Sequence, residues 1–326
     1  MKHIAVVMGG YSDEYKVSLK SGQLVWKSLD REEYCVYKVV IRDRYWYYED
    51  EDKNTYPISK EDFSISLSGV HIKFDVCFNT IHGKPGENGE LQAYWNMIGQ
   101  KYTGCSFYAS ALTFNKKDTL AVLSKYHIPS ARSFYLKKGE QRDLQNIINI
   151  LGLPLFVKPN QSGSSLGISK VSAPEDLSPA LDKAFLEDEE ILVEQFLKGT
   201  EVSVGVTEYK GEIIVLGITE IISKNDFFDY EAKYEGASEE ITPARLDAHT
   251  RQNVEELSKR AYKALGMSGF SRSEYIIVEG TPYMLEMNTN PGLSPSSILP
   301  QQAKTYGLSM ADLFAYEIEK ALNKNI

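Results

Sequence analysis

The chain opens on a short unbroken apolar run, "HIAVVM", which stops at Gly9-Gly10 and gives way to the helix-like "YKVSLKSG". A buried strand, a glycine loop and a helix in that order begin an open, mainly parallel α/β sheet. "FDVCFNTIHG" reads as a second such strand. It leads through "GKPGENGE" into a helix with Leu91, Tyr94, Trp95 and Ile98 at helical spacing. Loops at the carboxyl ends of such strands form the usual ligand rim, which places Glu14 and His82 there. From Cys105 the pattern changes to a short helix ("KKDTLAVLSKYHIP"), a strand ("SFYL"), a helix stopped by Gly-Leu-Pro, and the strands "LFVKP", "LGISKV" and "EILVEQFL". After "KGTE", strict alternation returns in "VSVGVTEY" and "EIIVLGITEI", joined at Lys210-Gly211. A helix with Val254, Leu257, Ala261 and Leu265 on one face ends on Gly266, and a hairpin, "RSEYIIVEGTPYMLEMN", follows. The pattern predicts an α/β and α+β multidomain chain. Its units are an open α/β domain over 1–104, a small α+β domain over 105–194 and a larger unit over 195–326. "SKNDFFDYEAKYEGASEE" has no clear periodicity, and a loop that long inside a domain is mobile or functional.

Composition narrows the class. With 326 residues, 42% hydrophobic and 25% charged, the chain is globular and too long for one ordinary core. A net charge of −9 argues against sequence-independent nucleic-acid binding, though a local lysine or helix N-terminus can still hold a phosphate. Three scattered cysteines and five histidines without ligand spacing predict neither a disulfide framework nor structural zinc. No secretory h-region and no membrane-length apolar run is present, so a cytoplasmic protein is expected.

Two stretches carry chemistry. In "FVKPNQSGSSLGISKV", Lys158 ends a strand beside a loop of glycines and of Ser162, Ser164 and Ser165. Small residues let backbone N–H groups approach an anion, and the lysine supplies a fixed charge; a flexible turn would look the same. It is not a P-loop, and no dinucleotide fingerprint follows a strand. In the final hairpin Arg272 and Glu274 alternate on one strand, Glu286 and Asn288 on the other. An odd connecting loop at Glu279-Gly280 would set Glu274 opposite Glu286 and Arg272 opposite Asn288, whereas a two-residue loop would separate them. Facing carboxylates repel unless a cation lies between, and with Asn288 they offer hard oxygens suited to Mg²⁺.

Taken in order, "MGGYSDE", "IHGKPGENGELQ", "YTGCSFYASAL", "FVKPNQSGSSLGISKV", "FFDYEAKY", "SRSEYI" and "LEMNTNPGLSPSS" resemble the D-alanine–D-alanine ligases of the ATP-grasp superfamily. The likeness runs from residue 4 to about residue 310. It implies an ATP-grasp fold behind an N-terminal pre-ATP-grasp domain, and a homodimer. It also implies ATP as co-substrate, two Mg²⁺ (or Mn²⁺) ions and two D-alanine molecules joined for peptidoglycan synthesis. Lys116 and Lys158 would bind ATP phosphates under the loop that holds Ser165. Glu194, Gln195 and Leu197 match the adenine segment, and Glu201 the ribose carboxylate. Glu274, Glu286 and Asn288 fall on the metal ligands. Arg272 and the Gly292 N–H would face the oxyanion. Glu14 would hold the first ammonium and Ser297 the second carboxylate. Lys233 and Tyr234 belong to the lid segment, and Glu14, Ser164 and Tyr234 correspond to a trio tying it to the first domain. His82 matches a position near the first amino acid, for proton traffic or for holding the loop.

The sequence departs from the family at Glu274, where most relatives carry Asp, at Asn115, and at "GENG" for the commoner "GEDG". None of these removes a required group. Ligases for D-alanyl-D-serine or D-alanyl-D-lactate are the nearest rivals. The intact "DYEAKY" segment resembles the dipeptide-forming members. A non-catalytic regulator would have no use for Glu14, Arg272 and Ser297.

Overall fold

The computed structural model describes residues 1–163, 166–223 and 238–324. Ser164, Ser165, Lys233 and Tyr234 lie outside them.

The first sheet has the order β4-β3-β2-β1-β7, from β1 (Lys2–Gly9), β2 (Tyr34–Arg42), β3 (Tyr45–Glu49), β4 (Thr55–Pro57) and β7 (Val76–Asn79). β1 runs parallel to both β2 and β7, as an apolar run buried on both faces requires; β3 and β4 add an antiparallel edge. A separate two-stranded ribbon pairs β5 (Ser64–Leu67) with β6 (Val70–Lys73). The second sheet, β10-β9-β11-β8, is wholly antiparallel. It is built from β8 (Ser133–Lys137), β9 (Leu155–Pro159), β10 (Ser169–Val171) and β11 (Glu190–Gln195). The third, β14-β13-β12-β15-β16, contains β12 (Thr200–Tyr209), β13 (Glu212–Ser223), β14 (Ser238–Ile241), β15 (Ser271–Val278) and β16 (Thr281–Asn288).

Packing does not follow chain order. The helices Phe107–Phe114 and Lys116–Ser124 precede the second sheet, yet they bury Ala109, Leu120 and Leu123 in the core of the third, beside Val202, Val204 and Tyr275. The first sheet is likewise completed from the far end of the sequence. Ile4, Val6 and Phe78 share a core with Phe270, Leu299, Leu313 and Phe314, the last two from the helix Met310–Asn323. The second sheet has its own core, Leu155, Val157, Ile191 and Val193 against the helix Leu177–Glu187.

The final hairpin reaches the register of interest by a route that the alternation does not reveal. Its loop is the two-residue turn Glu279-Gly280, both at positive φ (49° and 77°), the pairing that suits a tight hairpin. Left regular, that turn would face Glu286 inward. A β-bulge intervenes: Tyr275 pairs with Met284 but Glu274 pairs with Glu286, so Leu285 is the extra residue. The bulge supplies the odd residue expected of the loop. Met284 and Met287 stay in the core while Leu285, Glu286 and Asn288 turn to the opposite face.

Candidate active site

A cavity of about 460 Å³ lies between the second and third sheets. Its charged lining includes Lys116, Lys158, Glu194, Glu201, Glu274 and Glu286, and Gln195 and Leu197 line it too. Phe156, Ile168, Phe196, Ile276 and Leu285 give it apolar walls suited to a flat heterocycle. Lys158, on β9, reaches Glu194 on the adjacent β11 at 2.6 Å, with side chains 14% and 4% exposed. Burial alone would pull this ammonium down, but Glu194, Glu286 and Glu201 around it hold it above its ordinary value. It is therefore a fixed cation. Lys116, at the start of its helix, donates to the Ser162 carbonyl at 2.8 Å and lies 3.4 Å from Glu286. It ties the loop after β9 to the end of β16.

A smaller recess of about 80 Å³ adjoins the first and shares Lys116, Ser162 and Glu286 with it. Glu14, Glu87, Thr113, Arg272 and Asn288 complete its polar lining. Arg272 Nε donates to Glu274 at 2.7 Å, and the Ser203 hydroxyl lies 3.3 Å from the same oxygen. Glu14 stands at the N-cap of the helix Tyr15–Ser28. There the carboxylate lies so close to the loop after β9 that a Cβ on Gly163 would come within 3.0 Å of it. The recess thus joins the first domain to the phosphate side of the cavity.

Glu87 belongs to the recess as well, although nothing in the sequence sets it apart from the other acids of its loop. Its carboxylate accepts from the Gly83 N–H at 2.9 Å, and desolvation beside Glu14 pushes its pKa up to about 8. The signal, an acid between two glycines on a strand-to-helix loop, is visible only once the rim is placed. Ser18 and Ser21, two serines at i, i+3 on a helix face that should be apolar, are a further anomaly readable in the sequence. Both are fully buried.

His82, Gly292 and Ser297 line neither cavity. His82 is buried behind the rim with both ring nitrogens engaged, Nδ1 donating to the Asn290 carbonyl (2.7 Å) and Nε2 on the Ser21 hydroxyl (3.0 Å). Burial pulls it below the usual imidazole range, against the raising effect of Glu14. Ser297 is the N-cap of the helix Ile298–Tyr306, and its hydroxyl meets Ser294 at 2.8 Å. A Cβ on Gly292 would lie 2.9 Å from that same Ser297 oxygen, so the turn and the helix start form one surface.

The donor set of the hairpin fits a divalent cation. Two carboxylates opposite one another with an amide on the same face are hard oxygens, open to the cavity. Among the described residues no three His, Cys, Asp or Glu side chains are placed to hold a metal ion by themselves, so the hairpin offers a partial shell and not a closed cage. That suits Mg²⁺, which keeps sites for water and substrate phosphates.

Comparison with known proteins bears on the whole chain. The family model described as "D-ala D-ala ligase N-terminus" matches residues 3–105, and the one described as "D-ala D-ala ligase C-terminus" matches residues 122–319. A D-alanine–D-alanine ligase of Flavobacterium psychrophilum is 57% identical over 322 residues, 99% of this chain and 98% of that protein. Among solved structures, the VanG D-Ala:D-Ser ligase of Enterococcus faecalis has a TM-score of 0.88 at 32% identity, covering 98% of this chain and 99% of that one. The D-alanine–D-alanine ligase of Bacillus anthracis complexed with ATP has a TM-score of 0.79 at 26% identity, covering 99% and 98%.

Proposed function

Since this chain belongs to the D-alanine–D-alanine ligase family, we propose that its two joined cavities carry out the ATP-dependent coupling of two D-alanine molecules. One observation carries the assignment of roles: the cavity suited to a nucleotide and the recess suited to an amino acid share Lys116 and Glu286 at their junction.

ATP lies between the sheets, its base among Phe156, Leu197 and Ile276 and its ribose toward Glu201, with Lys116 and Lys158 on the phosphates. Glu274, Glu286 and Asn288 would hold two Mg²⁺ (or Mn²⁺) ions, which when bound supply charge neutralisation on the phosphoryl group. Glu14 takes the ammonium of the first D-alanine. A carboxylate oxygen of that first D-alanine bonds to the γ-phosphorus while the bond to the ADP oxygen breaks, giving D-alanyl phosphate. The second D-alanine, as the free amine, attacks the acyl carbon. The C–N bond forms, the C–O bond to phosphate breaks, and the proton released from the nitrogen is taken up by the departing phosphate. Negative charge that develops on the acyl oxygen meets Arg272 and the Gly292 N–H. Ser297 and the N–H groups at the start of its helix receive the second carboxylate, where the helix end favours an anion. Lys233, Tyr234, Ser164 and Ser165 complete the assignment by resemblance alone. A cytoplasmic homodimer fits this role, and no described helix is long and apolar enough to cross a membrane.

The decisive assay measures phosphate release from MgATP with D-alanine, L-alanine or no amino acid, with products identified by mass. Release that needs D-alanine and matches D-alanyl-D-alanine is expected. D-Serine competing into the product would move the assignment toward the activity of the Enterococcus relative. No D-alanine-dependent release from folded protein would sink it.

A further inference from the structure

A closed set of hydrogen bonds lies behind the recess and connects three distant parts of the chain. The Leu293 N–H donates to the Ser21 hydroxyl (3.1 Å), and Ser21 in turn meets His82 Nε2 (3.0 Å). His82 Nδ1 meets the Asn290 carbonyl (2.7 Å), and the Asn290 side-chain amide donates back to the Ile81 carbonyl (2.7 Å). The directions are forced. A carbonyl only accepts, so Nδ1 carries the hydrogen, and a neutral imidazole then accepts at Nε2. The Ser21 O–H must therefore point at Nε2, which leaves its oxygen free to accept from Leu293.

The two anchored residues, Asn290 and Leu293, bracket Pro291-Gly292. The turn is held at both ends by the first domain, while its own strand, β16, holds it only from one side. We infer that Ser21 and His82 are positioning residues, which act through Asn290 and Leu293 to fix the Gly292 N–H where the acyl oxygen becomes negative. His82 then has no nitrogen left for proton traffic with substrate, which decides between the two readings its position allowed. The inference rests on the ligase reading of the site and adds the device that aims its oxyanion donor.

Displacing a donor should cost less than deleting it, for which about 100-fold or more is usual. The loss should also fall on the second chemical step, because phosphoryl transfer does not use this turn. In rapid-quench experiments with MgATP and D-alanine, Ser21→Ala is expected to lose about tenfold in dipeptide formation, the cost of a small misplacement, while first-turnover ADP formation stays within about threefold. His82→Asn keeps a donor near the position of Nδ1 for the Asn290 carbonyl but, being shorter, places no acceptor where Nε2 meets Ser21. It should show the same split, with an unchanged shape of the pH–rate profile, and it carries the test if Ser21→Ala folds poorly. Equal losses in both steps, or no loss in either, would overturn the inference. So would a limb of the pH profile that disappears in His82→Asn, which would make the imidazole a proton acceptor. Unsubstituted protein that forms no dipeptide in the same assay would instead remove the ligase reading and this inference with it.

Discussion

At the scale of the residue, the buried pair Lys158–Glu194 shows what the site costs and what it gains. With Lys158→Met, Glu194 is left buried without its cation, and a loss of about 3 kcal/mol of stability is expected in urea denaturation. Adding Glu194→Gln should recover most of that loss without restoring nucleotide affinity, read as the rise in melting temperature on adding MgADP. Lys158 was legible in the sequence because a lysine next to a Ser/Gly loop has a recognisable use. Glu317 was not. It sits on the C-terminal helix, 3% exposed, and burial pushes its carboxyl up to about 7, with the raising effect of Glu208 set against Lys320. Between its unfolded value and about 7 the folded protein holds a proton that the unfolded chain has released. Stability therefore falls as pH rises through that window. Glu317→Gln should flatten the fall, and urea midpoints at acid and alkaline pH for the two proteins test it.

At the scale of the element, the last hairpin was readable as far as its alternation went. Facing pairs Glu274–Glu286 and Arg272–Asn288 were legible conditionally, and the condition was met by a bulge at Leu285 instead of by a longer loop. A bulge leaves no composition signal, since it adds one ordinary residue to a strand. The helix Ile298–Tyr306 illustrates a second kind of hidden information. It lies on β12 and β13, with Gln302 donating to the Ser203 carbonyl and the Thr219 hydroxyl. This close approach depends on Gly205, where a Cβ would come 2.2 Å from the Gln302 oxygen and 2.8 Å from Leu299. Gly205→Ala should cost about 1–3 kcal/mol of stability by overpacking. Because Ser297 begins that helix, the half-saturating concentration of the second D-alanine should rise as well. A variant that is destabilised but binds the second substrate normally would separate the helix seat from the site.

At the scale of the whole molecule, the parallel character of the first sheet was legible, and so was the succession of three sheets. What was hidden is where the helices go. Residues 105–124 read as the start of the middle unit but pack on the third sheet, because the apolar face of a short helix does not say which sheet will cover it. The cavity lies between the second and third sheets, so a bound nucleotide should hold them together. At a concentration about 100 times its dissociation constant, MgADP should add about 3 kcal/mol to stability, seen as a raised melting temperature. Lys158→Met should abolish that rise.

The seat of Leu313 and Phe314 against Ile4, Val6 and Phe78 also bears on how the protein comes into being. On the ribosome the first strand emerges well before the helix that covers it, and domains that need only local chain can fold as they appear. This sheet cannot, because part of its cover is the helix Met310–Asn323, far downstream in the sequence. A chain halted after Gly307 should leave that apolar face bare, bind a hydrophobic dye and be found largely in the insoluble fraction. The strand at residues 2–9 must wait, unfinished, until residues 310–323 have been made.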